Sequence, residues 1–495
     1  MKFVRLLGIA IGAIVSSVIA FAAADPIEGK WFGIADQPGD PAQFGFEIKR
    51  NAKGELVAFI HNITLQHNGN FVGAVRAEED GTYTIAGANT KLTLQGEALT
   101  GVVGPLNVPV RMERTETFPE RLTIPEGIPP GPGPKWRSQL GAPIYAAPVA
   151  DDDCAYVGTT GGLFHAVSLK DGRFKWAFPA GRPIHGQATI DGDALYFVCD
   201  NGYLFKLARA DGKEIWRYDL GDAQVPRVLL HFMNLENDNR SPRPIVADGT
   251  IYVGSGDGSF HAVDAASGAR RWRFAATGKV RQTAALAGDL VIFGTTGDER
   301  GYDMNRGNLY ALRRATGELA WKYDVRGAVT SAPTVMGDTL ILGSRGSILA
   351  GLDAQTGAVR WQKYFWGSWV ESTHTPAGEL FYLGAADLRT ARAYDPKDGS
   401  YRWSTYMHGW TWGAPAVSDT TVYYGVGATI LPLPFRPYNA SLTAIDRGTG
   451  EIKWRWVPPD LPGMLFNGFG AGPVMAGDQL LASGLDGQLY AFPLE

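Results

Sequence analysis

One position in each of eight repeated units carries the residue types best suited to recognising a ligand. These are Tyr145, His185, Ser241, Arg281, Thr330, Glu371, Trp412 and Gly470. Histidine exchanges protons near neutrality, guanidinium and carboxylate pair with opposite charges, and an indole offers a flat face for stacking. Gln187, Gln282, Thr283, Thr373 and His374 lie beside them in sequence. So varied a set points to a site for a small molecule or a protein segment, built around Tyr145, His185, Gln187, Arg281, Gln282, Glu371, His374 and Trp412. The competing reading is the polar wall of a water-filled channel. Insertions at residues 225–242, 297–307 and 426–441 could roof one face. The second contains Asp298, Glu299, Asp303 and Asn305. Such oxygens can hold Ca²⁺, but without ordered ligand spacing they read first as solvated loops. Cys154 and Cys199 read as small apolar residues before they read as a pair, and the absence of C-x-x-C-H excludes attached haem.

The units themselves come from an eleven-residue pattern, A-x-D-x-x-T-G-x-x-x-W. It is clearest at Ala262–Trp272, Gly351–Trp361, Ala393–Trp403 and Ala444–Trp454. Weaker copies run over Ala166–Trp176, Lys206–Trp216 and Ala311–Trp321. An eighth copy begins at Leu489 and stops before its tryptophan, while Trp136 stands upstream of the first repeat. Successive tryptophans are 40, 40, 56, 49, 40, 42 and 51 residues apart, a period of 40 with insertions. In the fifth unit, strands are expected over Val329–Val335, Thr339–Gly343, Ile348–Asp353 and Val359–Trp361. Four short antiparallel strands per 40 residues make one blade, so the chain is all-β, with an eight-bladed β-propeller over residues 135–495. The strand at 135–137 is expected to complete the last blade and remove its free edge. Each tryptophan ends the outer strand, where packing on the Gly turn of a neighbouring blade buries ~150–250 Å². This tryptophan-docking role is structural.

Residues 25–118 differ. Apolar alternation at Phe44–Ile48, Val57–Phe59, Leu92–Leu94 and Val108–Met112, punctuated by glycines, predicts a small antiparallel β-domain, sandwich or barrel. His61 and His67 are expected to face solvent. Residues 119–134 (TIPEGIPPGPGP at its end) read as a stiff, extended linker. Residues 1–24 read as a signal peptide. Lys2 and Arg5 precede an apolar run to Phe21, and small residues follow. The mature protein is therefore expected in the periplasm or secreted. No other run is long enough to form a transmembrane segment, and a net charge of −4 gives no sign of nucleic-acid binding.

These repeats resemble those of the pyrroloquinoline-quinone (PQQ) repeat family, quinoprotein alcohol dehydrogenase-like propellers, from Gly133 to Glu495. The resemblance implies one of two functions. One branch is PQQ- and Ca²⁺-dependent alcohol or sugar dehydrogenases. The other is non-catalytic, like the propeller lipoprotein of the outer-membrane barrel-assembly machinery. For an enzyme, the resemblance would make Glu371 and Asp298 metal ligands, Trp412 a stacking partner and Asp303 the base. This chain departs from the enzymes in lacking their adjacent cysteines and in carrying Gly307 where they have Asp before Asn-Leu-Tyr. It departs from the lipoprotein in lacking a lipidation cysteine. The expectation is a binding or assembly-scaffold protein acting through its funnel, with the PQQ-dependent dehydrogenase as the alternative.

Overall fold

The computed structural model describes residues 25–62, 67–120, 122, 125–225, 227, 240–297, 305–429, 439–459, 461 and 466–494. Residues 1–24, on which the signal-peptide expectation falls, lie outside them, as do Asp298 and Asp303. No helix among the described residues is long and apolar enough to cross a membrane.

The N-terminal domain is a closed antiparallel barrel. Its strands are β1 (Gly29–Ala35), β2 (Ala42–Arg50), β3 (Leu56–Asn62), β4 (His67–Ala77), β5 (Tyr83–Ile85), β6 (Thr90–Gln95), β7 (Ala98–Val103) and β8 (Val108–Arg114). Strand alternation sends one face inward. Along β8, Val108, Val110 and Met112 are buried while Pro109 and Arg111 are exposed. Closure comes from β1 pairing with both β2 and β8, Trp31 facing Phe46 on one side and Arg114 on the other. His61 departs from expectation. Its ring stacks on Phe118 at 3.6 Å, because the chain leaving β8 returns over β3.

Eight further sheets follow, seven of them with their four main strands in sequence order. Their innermost strands are Val149–Ala150, Thr189–Asp191, Ile245–Ala247, Ala285–Ala287, Thr334–Met336, Thr375–Ala377, Ala416–Val417 and Val474–Ala476, defining blades 1 to 8. Blade 7 gains a fifth strand, Phe466–Gly468. Blade 8 is completed by β9 (Trp136–Gln139), which pairs with Gln488–Pro493 and so closes the ring with the first strand of the propeller. In blade 5 the inner strand is shorter than expected. Residues before Thr334 bond to neighbouring turns instead, as in Val329 N–H to Thr295 O (3.1 Å), and Pro333 has no N–H to offer a ladder.

Seven of the eight outer-strand tryptophans lie on a glycine of the next blade. The Trp136 indole donates to Leu169 O at 2.9 Å and its ring covers Gly172, where a Cβ would sit 2.5 Å away. Trp454, on blade 7, meets no Thr-Gly turn in blade 8, whose third and fourth strands are far apart in sequence, and instead covers Gly131 of the 119–134 segment that leads into the fourth. That segment is tied down rather than free. Gly131 N–H donates to Arg455 O at 2.7 Å, and Arg455 N–H returns a bond to Pro129 O at 3.1 Å. Cys154 and Cys199 are both unpaired.

The barrel is docked on blades 5 and 6. One apolar cluster runs from Trp31 and Phe46 to Phe365, Trp366 and Phe381. At its edge Asp40, fully buried, pairs with Arg392 at 3.2 Å, and Gln37 exchanges hydrogen bonds with the backbone of Tyr364.

Candidate functional site

The loop entering each inner strand carries the eight equivalent positions, and the turn between the second and third strands of a blade lies beside it. These turns bring partners that the repeat alignment alone does not reveal. His185 Nδ1 stands 2.9 Å from Asp200 Oδ2, in the turn of its own blade. Asp200 also meets Arg227 at 3.2 Å and the Ser241 hydroxyl at 3.2 Å. Burial pushes the Asp200 carboxyl up, but His185, Arg227 and Ser241 overcome it and hold it below the usual range. Arg227 reaches on to Asp222 at 3.3 Å, and Asp222 pairs with Arg281. Arg281 lies flat over Gly256, so closely that a Cβ there would sit 2.1 Å from its Nη2.

A second cluster forms on blades 5 and 6. Glu371 accepts from Arg345 Nε at 2.7 Å and from Arg240 at 3.2 Å. Arg240 also donates to Thr330 O at 2.8 Å. Burial would raise the Glu371 carboxyl, yet Arg345 and Arg240 together keep it lowered. Arg345 in turn stacks on Trp369 at 4.2 Å. Nearby Asp387 is pushed up to about 6, by burial first and then by the negative charge of Glu371. Arg227 and Arg240 flank the insertion that leads into blade 3, so its two ends are fastened to blades 2, 5 and 6.

The remaining positions are aromatic or small. Trp412 stacks on Trp410 at 4.9 Å and meets Phe466 edge-on at 5.9 Å. Tyr145 stands 6.0 Å from His185, with Gly470 packed against its other side. Gln187 donates to Pro148 O at 2.8 Å. Gln282 is half-buried beside Arg281. His374 is buried behind the inner strand against Phe381, away from the charged clusters.

Sequence reading therefore places Tyr145, His185, Arg281, Glu371 and Trp412 on equivalent positions. The structure gathers the first three with Asp200 and Asp222, and Glu371 with Arg240 and Arg345. Several of these groups are buried by their partners rather than displayed. The missed residues are Asp200, Asp222, Arg227, Arg240, Arg243 and Arg345. Aligning the second-to-third-strand turns as a ring of their own would have flagged Asp200 and Arg345.

A calcium–quinone site at Glu371 does not fit these residues. Calcium takes six to eight oxygen ligands. Glu371 instead faces two guanidinium groups, and among the described residues no group of three or more His, Cys, Asp or Glu is placed to hold a metal.

Residues 133–232, 201–363, 304–391 and 368–495 match the PQQ_2 family, described as outer membrane protein assembly factor BamB. The chain belongs to this family. No curated protein matches it. Among solved structures, it is similar to the quinohemoprotein alcohol dehydrogenase of Comamonas testosteroni, at 14% identity and a TM-score of 0.53. That match covers 73% of this chain and 76% of the other. It is similar to a europium-containing methanol dehydrogenase at 13% identity and a TM-score of 0.55, covering 73% and 93%. It is also similar to the computationally designed Ika8 protein, at 12% identity and a TM-score of 0.54, covering 72% and 99%. At these identities the likeness is one of fold.

Proposed function

We propose that this member of the PQQ_2 family is an exported, periplasmic binding propeller that takes a protein segment or small ligand at the charged mouth of its funnel and performs no redox chemistry. One observation carries the reading. Glu371, the carboxylate that a dehydrogenase would spend on calcium, is already compensated by Arg345 and Arg240. A metal there would have to displace two guanidinium groups from a buried carboxylate. The family description, an outer-membrane assembly factor, supports a scaffold role. The paired indoles of Trp410 and Trp412 supply the flat apolar surface on which a partner side chain can anchor.

The test is calorimetric titration of the mature protein with PQQ, with and without Ca²⁺, beside capture of partners from a periplasmic extract. The binding reading expects no calcium-dependent PQQ binding, and a captured partner that is lost with Arg240→Ala. Tight, calcium-dependent PQQ binding would overturn it in favour of the dehydrogenase. N-terminal sequencing of the exported chain tests the export step, with a start at Ala23 or Asp25 expected.

A further inference from the structure

Two residues beyond each mouth position, the inner-strand approaches carry a second ladder. Arg243 is its single charged member. Gln187, Thr283 and Thr373 supply an amide and hydroxyls, and the other positions are Ala or Gly. The alignment across the insertion obscures Arg243, but the strand register makes the equivalence plain, since Ile245–Ala247 and Thr189–Asp191 are matching inner strands.

Three consecutive blades hold this arginine. Its Nε donates to Thr189 Oγ1 at 3.1 Å and its Nη1 to Gln187 Oε1 at 3.5 Å, both on blade 2. Its backbone N–H donates to Thr283 Oγ1 of blade 4 at 3.0 Å. The side chain is exposed, yet it lies among innermost strands. Desolvation lowers its pKa, with no carboxylate acting in the other direction. The mouth arginines Arg227, Arg240, Arg281 and Arg345 each face a carboxylate. Arg243 makes no ion pair among the described residues.

We propose that Arg243 is the centre of an anion subsite in the channel, which takes a carboxylate group of the ligand admitted at the mouth. This rests on the binding reading above and specifies its chemistry. A guanidinium has five N–H donors, of which Arg243 directs two to blade 2, leaving a fork for a planar carboxylate. Thr283 Oγ1 accepts from the Arg243 backbone, so its hydroxyl proton remains available to a bound oxygen. The other equivalent positions, Ala147, Ala332, Ala414 and Gly472, carry no charge that would compete for the anion. One cation with one hydroxyl matches a carboxylate monoanion better than a phosphate dianion.

The test uses the mature protein and four probes: succinate, a short peptide with a free C-terminal carboxylate, the same peptide as its amide, and inorganic phosphate. Binding is followed by calorimetry and by the NMR signal of the Arg243 Nε–H. The proposal expects succinate or the free-acid peptide to bind and to shift that signal, with the amide at least tenfold weaker. Arg243→Gln should abolish the binding without lowering Tm, and Arg243→Lys should retain part of it. A preference for the peptide acid assigns a chain end, and a preference for succinate a small acid. Equal binding of acid and amide, tighter binding of phosphate than of any carboxylate, or no effect of Arg243→Gln would overturn it. Should Arg243→Gln fail to fold, the Nε–H shift in the unaltered protein still decides. If Arg243→Gln leaves partner capture intact while Arg240→Ala removes it, the subsite falls and the mouth remains the binding site.

Discussion

Arg240, leaving the insertion before blade 3, donates to Glu371 at the entrance to blade 6 from 3.2 Å away. The bond spans the mouth, and Arg240 is one of two guanidinium groups that hold Glu371. Arg345 is nearly fully buried, whereas Arg240 remains partly in water. The two bonds therefore differ in what their loss leaves behind. Arg240→Ala leaves Glu371 paired with Arg345 and should cost about 1 kcal/mol. Glu371→Gln strands a buried guanidinium and should cost about 3 kcal/mol or more. Urea denaturation of the two variants checks the order, and a reversed order would mean that Arg345 does not carry the pair.

Gly256 sits under the Arg281 guanidinium with no space for a side chain. A Cβ there would lie 2.1 Å from Arg281 Nη2 and 2.4 Å from Asp222 Oδ1. Gly256→Ala must push Arg281 off Asp222, leaving two buried charges imperfectly paired. We expect a loss of about 2–3 kcal/mol, larger than Gly→Ala at an open turn such as Gly192, where nothing stands within 4 Å. Comparing the two midpoints separates the steric effect from the backbone cost of positive φ at Gly192, where φ is 55°.

Blade number and ring closure were legible because they are written in repeated, local residues. The Asp-Thr-Gly turn and the tryptophan recur at nearly one period, and Trp136 stands alone ahead of the first copy. The barrel was legible only as alternating strands, because its closure depends on β1 meeting β8 some eighty residues later, which no local pattern announces. At the site, the equivalent positions could be aligned, but not their burial. His185 and Glu371 are drawn under the surface by Asp200 and Arg345, whose turns vary from blade to blade. Arg243 was hidden by the insertion before it, which breaks the spacing on which the alignment relies.

Closure of the ring by β9 carries its own prediction. This strand adds four residues of ladder to blade 8, and its Trp136 reaches forward to bond Leu169 and cover Gly172 of blade 1. It thus fastens the two ends of the propeller and two neighbouring blades together. Trp136→Ala should cost about 3–5 kcal/mol. Trp136→Phe should recover part of this, since it restores apolar area without the indole N–H. Thermal melts check both, and a cost no larger than that of truncating an exposed residue such as Phe174 would show that the ring does not depend on this joint.

Acid stability is set by groups of opposite sign. Burial drives the His374 imidazole down to about 4, from 6.5, and does the same to His261. A histidine held neutral in the fold stabilises it fully above its unfolded pKa, and that contribution is lost as pH falls through 4. Asp387, raised to about 6, acts the other way. Its contribution is complete below 3.8 and is lost as pH rises through 6. Between pH 6.5 and 4, therefore, protonating His374 should remove up to about 3 kcal/mol, partly offset by protonating Asp387. His374→Gln removes the first effect, so it should lower stability at pH 7 yet retain more of that value at pH 4.5. Asp387→Asn should steepen the acid loss. Urea midpoints at both pH values test the pair, and an unchanged pH slope in His374→Gln would show that this imidazole does not resist protonation in the fold.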